Sequence, residues 1–181
     1  LKKLGLFEPK KDSRVFSYDK SKLVILCTGA STNGVELKSV LRKAYDIELE
    51  MASVNYAIAM TGLGDGYESF GALIDALFSL DDSLAFRNGL VAQPILEIAK
   101  KALEPYQIKS LSTEIVDFDK SEGRVCAENV WAYPPGAPII VKGEVIDAEF
   151  IKHATLEYEN GVNVSSEKGT FPSGILVVKQ D

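Results

Sequence analysis

Residues 122–144 carry the residue types best suited to chemistry. They read EGRVCAENVWAYPPGAPIIVKGE and combine acidic side chains, aromatic side chains and three prolines. Because proline fixes φ, the loop at residues 133–138 should hold one shape at a small entropic cost. Glu128 and Glu144, beside such a loop, could form a preorganised acidic pocket for a cation. A loop that serves only to pack its aromatic side chains is the alternative.

A second candidate is the turn at residues 29–34, which reads GASTNG between an apolar run and a helical pattern. Backbone N–H groups in such a turn, together with the helix dipole, attract anions, so the turn could cradle a phosphate. The simpler interpretation is a plain strand–turn–helix connection in which Asn33 or Thr32 caps the helix. Asp65, among glycines before another helical pattern, is expected to cap that helix.

The remaining reactive side chains indicate neither a catalytic triad nor a metal site. The chain has one histidine, His153, with no convincing serine or cysteine partner, which disfavours nucleophilic catalysis. Cys27 and Cys126 lie in apolar surroundings without ligand-spaced Cys or His, so zinc is not expected. Two buried thiols in a reduced, cytoplasmic protein are the simplest interpretation.

The charge balance excludes several classes of partner. The 181 residues include 20 Lys+Arg and 26 Asp+Glu, a net charge of −6 that disfavours nucleic acids and anionic membranes. A hydrophobic content of 46% excludes intrinsic disorder, and no apolar run approaches a membrane span. The chain begins with leucine and has no secretory signal, so we expect it to begin inside a longer protein.

The elements of the first half predict a short mixed sheet covered by two helices. Residues 1–20 are Lys-rich and irregular and are expected to be an N-terminal tether. Apolar runs predict strands, and apolar residues at helical spacing predict helices. The expected strands are 22–28, 47–51 and 56–61, and the expected helices are 35–45 and 68–80. The first domain is placed at residues 21–83.

The second half is expected to form another domain, residues 90–181, after a polar boundary at 81–89. Pro94 should begin a helix that ends near Leu103, because proline suits the first helical turn. A second helix is expected at 148–158 and a single helical turn at 119–122. Strands are expected within 108–118, 125–132, 139–141, 161–164 and 175–178.

Three ordered pieces of this sequence resemble the C-terminal region of the bacterial, aminotransferase-like Orn/Lys/Arg decarboxylases. They are GRVCAE at 123–128, YPPGAP at 133–138 and Gly143-Glu144. Upstream, DKSKL at 19–23, IELEM at 47–51 and GLGD at 62–65 are similar to that family too. The sequence departs from the family pattern at Ala132, Ala137 and Lys142.

The resemblance implies an α/β and α+β fold. The first domain would be the small domain of the aminotransferase-like fold, and the second the family's C-terminal α+β domain. The family holds pyridoxal phosphate on a lysine that follows a histidine. Here the order is Lys152-His153, so the resemblance implies that the cofactor lysine and its domain lie outside this chain. This chain would then supply no catalytic, cofactor-binding or metal-binding residue, and would be inactive alone.

The implied activity is decarboxylation of arginine, lysine or ornithine to a polyamine precursor, by a homodimer that includes the upstream cofactor domain. The resemblance implies that Glu128 binds the distal cation of the substrate, across the dimer interface. Glu144 is a weaker candidate that fixes the loop. The frame of the pocket is expected to consist of Tyr133, Pro134, Pro135 and Gly136. A stand-alone module that binds a nucleotide or a polyamine is the alternative.

Overall fold

The computed structural model describes residues 1–10, 15–87, 98–133 and 136–180. The chain divides into two compact units, Leu1–Val91 (unit 1) and Ala92–Asp181 (unit 2). Each unit combines short helices with small sheets, so the fold is mixed α/β. None of the helices in the described ranges has the length and apolar character needed to span a bilayer.

Unit 1 is built on a four-stranded sheet in the order β1-β2-β4-β3. Every neighbouring pair is antiparallel, so the expectation of a mixed sheet was wrong. The central pair is in register along its length, from Lys22 opposite Met60 to Leu26 opposite Tyr56. The strands are β1 Gly5–Leu6, β2 Lys22–Leu26, β3 Met51–Ala52 and β4 Tyr56–Met60.

Two helices cover this sheet, α1 at Gly34–Tyr45 and α2 at Tyr67–Ser83. Asn33 caps α1 as predicted: its side chain accepts from the Glu36 N–H at 2.8 Å, while the Glu36 carboxylate accepts from the Asn33 N–H at 3.2 Å. The expectation for Asp65 was wrong. Its carboxylate accepts from the Gly62 N–H at 2.8 Å and closes a turn that precedes α2.

The first residues of the chain belong to unit 1, although residues 1–20 were expected to be a tether. Leu4 is only 3% exposed and lies in the core. The buried Asp81 carboxylate accepts from the backbone N–H groups of Lys2, Lys3 and Leu4 at 2.7–2.9 Å. Burial alone would raise the pKa of Asp81, but these backbone donors outweigh it and hold the pKa below its usual value.

Unit 2 contains two antiparallel sheets. Strands β5 and β9 form the first, and the second has the order β7-β6-β8. The strands are β5 Thr113–Asp117, β6 Val130–Tyr133, β7 Ala137–Ile140, β8 Asn163–Ser166 and β9 Gly174–Val178. The helices are α3 Pro105–Ile108 and α4 Ala148–Glu159, with a 3-10 turn at Phe118–Lys120.

The helix expected from Pro94 to Leu103 is absent where the structure describes that stretch. Residues 94–97 lie outside the described residues, and 98–103 are not helical. The N–H groups of Ala102 and Leu103 donate instead to the Gly143 carbonyl, at 2.8 and 3.0 Å. These donors bond to a distant loop, which periodicity along the chain does not reveal.

Candidate functional site

Tyr133 and Gly136, the two described residues of the YPPG motif, lie at the ends of the strands that form the β6–β7 hairpin. Tyr133 ends β6, and Gly136 precedes β7 with φ of +90°. That backbone conformation favours glycine, and the Gly136 N–H donates to the Ala132 carbonyl at 2.9 Å. Pro134 and Pro135 lie outside the described residues. The Tyr133 side chain is 56% exposed.

Glu128 is buried and bonded within its own chain, whereas the resemblance implied contact with a substrate cation. It is 0% exposed, and both carboxylate oxygens are bonded to the chain's own backbone. One oxygen accepts from the Leu176 N–H at 2.7 Å, and the other from the Lys168 N–H at 2.9 Å. A substrate cation in their place would leave two backbone donors unpaired, which is costly in a desolvated site. The carboxylate ties the start of the β6 segment to β9 and to the loop before it.

Glu144 fixes the loop that follows β7. Its carboxylate accepts from the Val141 N–H at 2.8 Å. The adjacent Gly143 has φ of +91°, and its carbonyl accepts the two N–H groups from residues 102 and 103. Among the predicted residues, Tyr133 is therefore exposed, Glu128 is buried, and Glu144 bonds within its own loop. The described residues do not bring them together in one pocket.

Unit 2 also contains a cleft of about 870 Å³ that sequence reasoning missed. Lys142 pairs with Glu167 at 2.7 Å, and the Asn129 side chain donates to the same carboxylate at 2.7 Å. Lys109 and Lys168 also line the cleft, so three lysines face one glutamate. This balance does not suit a cationic substrate group. The only signal in the sequence was the departure from the family pattern at Lys142.

The GASTNG turn is a plain strand–turn–helix connection. The Glu36 carboxylate occupies the N-terminus of α1, where it accepts from the Thr32 hydroxyl at 3.0 Å and from the Asn33 N–H. The Ser31 N–H donates to the Ala85 carbonyl at 2.9 Å. Because these donors are used and a negative charge already lies there, the turn does not suit a phosphate.

The reactive side chains are poorly placed for chemistry. Burial raises the pKa of the Cys27 and Cys126 thiols to about 12, so neither is a good nucleophile. His153 is half-buried on α4, and desolvation lowers its pKa. Over the described ranges, no three His, Cys, Asp or Glu side chains gather as a metal site.

Sequence comparisons connect the chain with decarboxylases. The family described as "Orn/Lys/Arg decarboxylase, C-terminal domain" matches residues 91–178. An arginine decarboxylase of Bacillus subtilis is 27% identical over 168 residues, covering 91% of this chain and 34% of the relative. That of Bacillus anthracis is 29% identical over 170 residues with the same coverage. The chain spans about a third of the length of these relatives.

Comparison with solved structures shows that this chain shares its fold with parts of known decarboxylases. The constitutive lysine decarboxylase of E. coli matches 97% of this chain and 37% of its own, with a TM-score of 0.66 and 13% identity. A lysine decarboxylase of Francisella novicida matches 93% of this chain and 32% of its own, with a TM-score of 0.65 and 14% identity. Residues 91–178 of this chain therefore correspond to the C-terminal domain of the Orn/Lys/Arg decarboxylase family.

Proposed function

We propose that this chain is the C-terminal part of a pyridoxal-phosphate-dependent decarboxylase of a basic amino acid, with a polyamine precursor as product. The match of residues 91–178 to the family's C-terminal domain carries this proposal. Arginine is the first substrate to test, because the two Bacillus relatives that cover 91% of this chain are both named arginine decarboxylases.

The residues of this chain do not fit pyridoxal phosphate. The family's cofactor lysine follows a histidine, whereas here the exposed Lys152 precedes the single His153 on α4. The Nδ1 atom of His153 is buried and forms no hydrogen bond within the described part of the chain. We therefore place the cofactor lysine outside this chain, and expect the chain alone to be inactive.

In this proposal, unit 1 is the small domain of the aminotransferase-like fold, and unit 2 contributes pocket and homodimer contacts in a cytoplasmic enzyme. Tyr133, at the end of β6, is the part of unit 2 best suited to a substrate. An exposed tyrosine ring on a hairpin closed by the Gly136 hydrogen bond can stack on a guanidinium or ammonium group. Glu128 has no part in that contact, because it serves as a buried anchor.

The Tyr133→Ala variant tests this role in the longer protein that contains the chain. Release of CO2 from arginine should show KM raised about tenfold with kcat nearly unchanged, because a cation–π contact of roughly 0.5–2 kcal/mol is lost from substrate and transition state alike. Tyr133→Phe keeps the ring and should restore KM.

The matched control is Tyr106→Ala, which removes another exposed tyrosine of unit 2 and should leave KM unchanged. If Tyr133→Ala and Tyr106→Ala show the same KM, Tyr133 does not contact the substrate. A longer protein that releases no CO2 from arginine, lysine or ornithine would refute the proposed activity itself.

A further inference from the structure

Helix α2 has a second apolar face that unit 1 does not use. Its core face packs Leu73, Ala76 and Leu77 against the sheet. A separate row of apolar side chains, the α2 stripe, follows the helical spacing on the outside. The α2 stripe consists of Tyr67, Phe70, Ile74 and Phe78, which are 99%, 38%, 51% and 53% exposed. Four large apolar side chains in one exposed row indicate an interaction surface.

Acidic residues border the α2 stripe along one edge. Glu68, Asp75 and Asp82 lie on the side of the helix opposite the core, next to the apolar row. All three are exposed, and within the described parts of the chain none of them forms a salt bridge. If two copies paired through this face about a two-fold axis, acids would meet acids or lack partners. The border instead favours a partner with basic side chains.

A cavity lies beside the N-terminal part of α2 and shares one residue, Phe70, with the α2 stripe. It has a volume of about 320 Å³, and Phe70 forms part of its wall. The buried Leu49 and Leu73 line it as well, and Asp46 and Asp65 contribute carboxylates. An apolar floor with acidic groups suits the aliphatic stem and charged head of a lysine or arginine side chain.

We infer that the α2 stripe docks against the part of the decarboxylase that lies outside this chain, on an apolar patch bordered by lysine or arginine side chains. This inference depends on the proposed function, because the matched relatives are about three times as long as this chain. The rest of such a longer protein would be a partner that is always present, because it belongs to the same protein. The acidic edge then sets the orientation, and the cavity accepts one basic side chain.

Cysteine labelling can test this inference, because both native thiols are buried and have raised pKa values. Phe78→Cys is placed in this chain and in the longer protein, and the rate of maleimide labelling is measured in each. We expect labelling in the longer protein to be at least tenfold slower. Lys43→Cys on the exposed side of α1 is the matched control and should react at similar rates in both.

The acidic border is tested in the same background. Asp75→Lys is added to Phe78→Cys in both proteins, and it should lower the ratio of the labelling rate in the chain alone to that in the longer protein at least threefold. This ratio cancels the direct effect of a lysine on the nearby thiol. Asp119→Lys, at an exposed acid of unit 2, should not change the ratio.

Three outcomes would decide against the docking face. The thiol introduced by Phe78→Cys could react as fast in the longer protein as in the chain alone. Its protection in the chain alone could grow with chain concentration, which would make a second copy the partner. Asp75→Lys could leave the labelling ratio unchanged, which would show that basic side chains of the partner do not face this edge. An assay of CO2 release on the same samples separates this result from the proposed function, because an active protein in which the introduced thiol is unprotected refutes only the docking face.

Discussion

Replacing Glu128 by alanine should lower the free energy of unfolding of unit 2 by about 3–5 kcal/mol. The substitution removes both acceptors of the Lys168 and Leu176 N–H groups and leaves these donors unpaired in a buried site. It also leaves a cavity, since the side chain is 0% exposed. Urea unfolding followed by the fluorescence of Trp131, the only tryptophan, reports on unit 2 specifically.

Glu122→Ala is the matched control for this variant. Glu122 lies six residues earlier, is exposed, and should change stability by less than about 0.5 kcal/mol when truncated. Hydrogen exchange at Lys168 and Leu176 should accelerate in Glu128→Ala but not in the control. If Glu128→Ala kept wild-type stability and raised only the KM of the longer protein, the anchor role would be wrong and the ligand role would return.

The Gly34→Ala variant should destabilise unit 1 by at least about 3 kcal/mol. Gly34 begins α1, and a Cβ atom there would overlap the backbone carbonyl oxygens of Ser53 and Tyr56. Backbone atoms cannot move aside cheaply, so α1 would have to lift away from β4. Hydrogen exchange at the Ala57 and Ala59 amides, in the strand beneath α1, should then become more than about 100-fold faster.

Gly71→Ala, in the second turn of α2, should have the opposite effect on stability. A Cβ atom at Gly71 meets nothing within 4 Å, so alanine should stabilise the helix by about 0.5–1 kcal/mol. Equal tolerance of both substitutions would contradict the close seating of α1 on the sheet.

The local features of the fold could be predicted from sequence because local physics sets them. Helical periodicity placed α1, α2 and α4 to within a few residues, and Asn33, one of the two predicted caps, is the cap of α1. The direction of the strands could not be predicted, because antiparallel pairing of β2 with β4 depends on contacts between distant segments. The same limit applied near Leu103, where backbone donors reach the Gly143 carbonyl.

The surroundings of Glu128 could not be predicted for a different reason. A motif match carries residue types but not their surroundings, and an acid in it can bind a cation or accept from backbone N–H groups. The sequence contained a signal that favoured burial, because Cys126, Ala127 and Val130 around Glu128 are apolar and all buried. Asp81 on α2 is a similar case, since its partners lie 77–79 residues earlier in the chain.

We propose that this chain is part of a decarboxylase whose cofactor lysine lies outside residues 1–181. Incubation with equimolar pyridoxal phosphate, borohydride reduction and intact-mass measurement test it directly. The chain alone should show no stoichiometric adduct, whereas the longer protein should gain one adduct at a lysine outside residues 1–181. A stoichiometric adduct at a single lysine of this chain would show that the chain itself holds the cofactor.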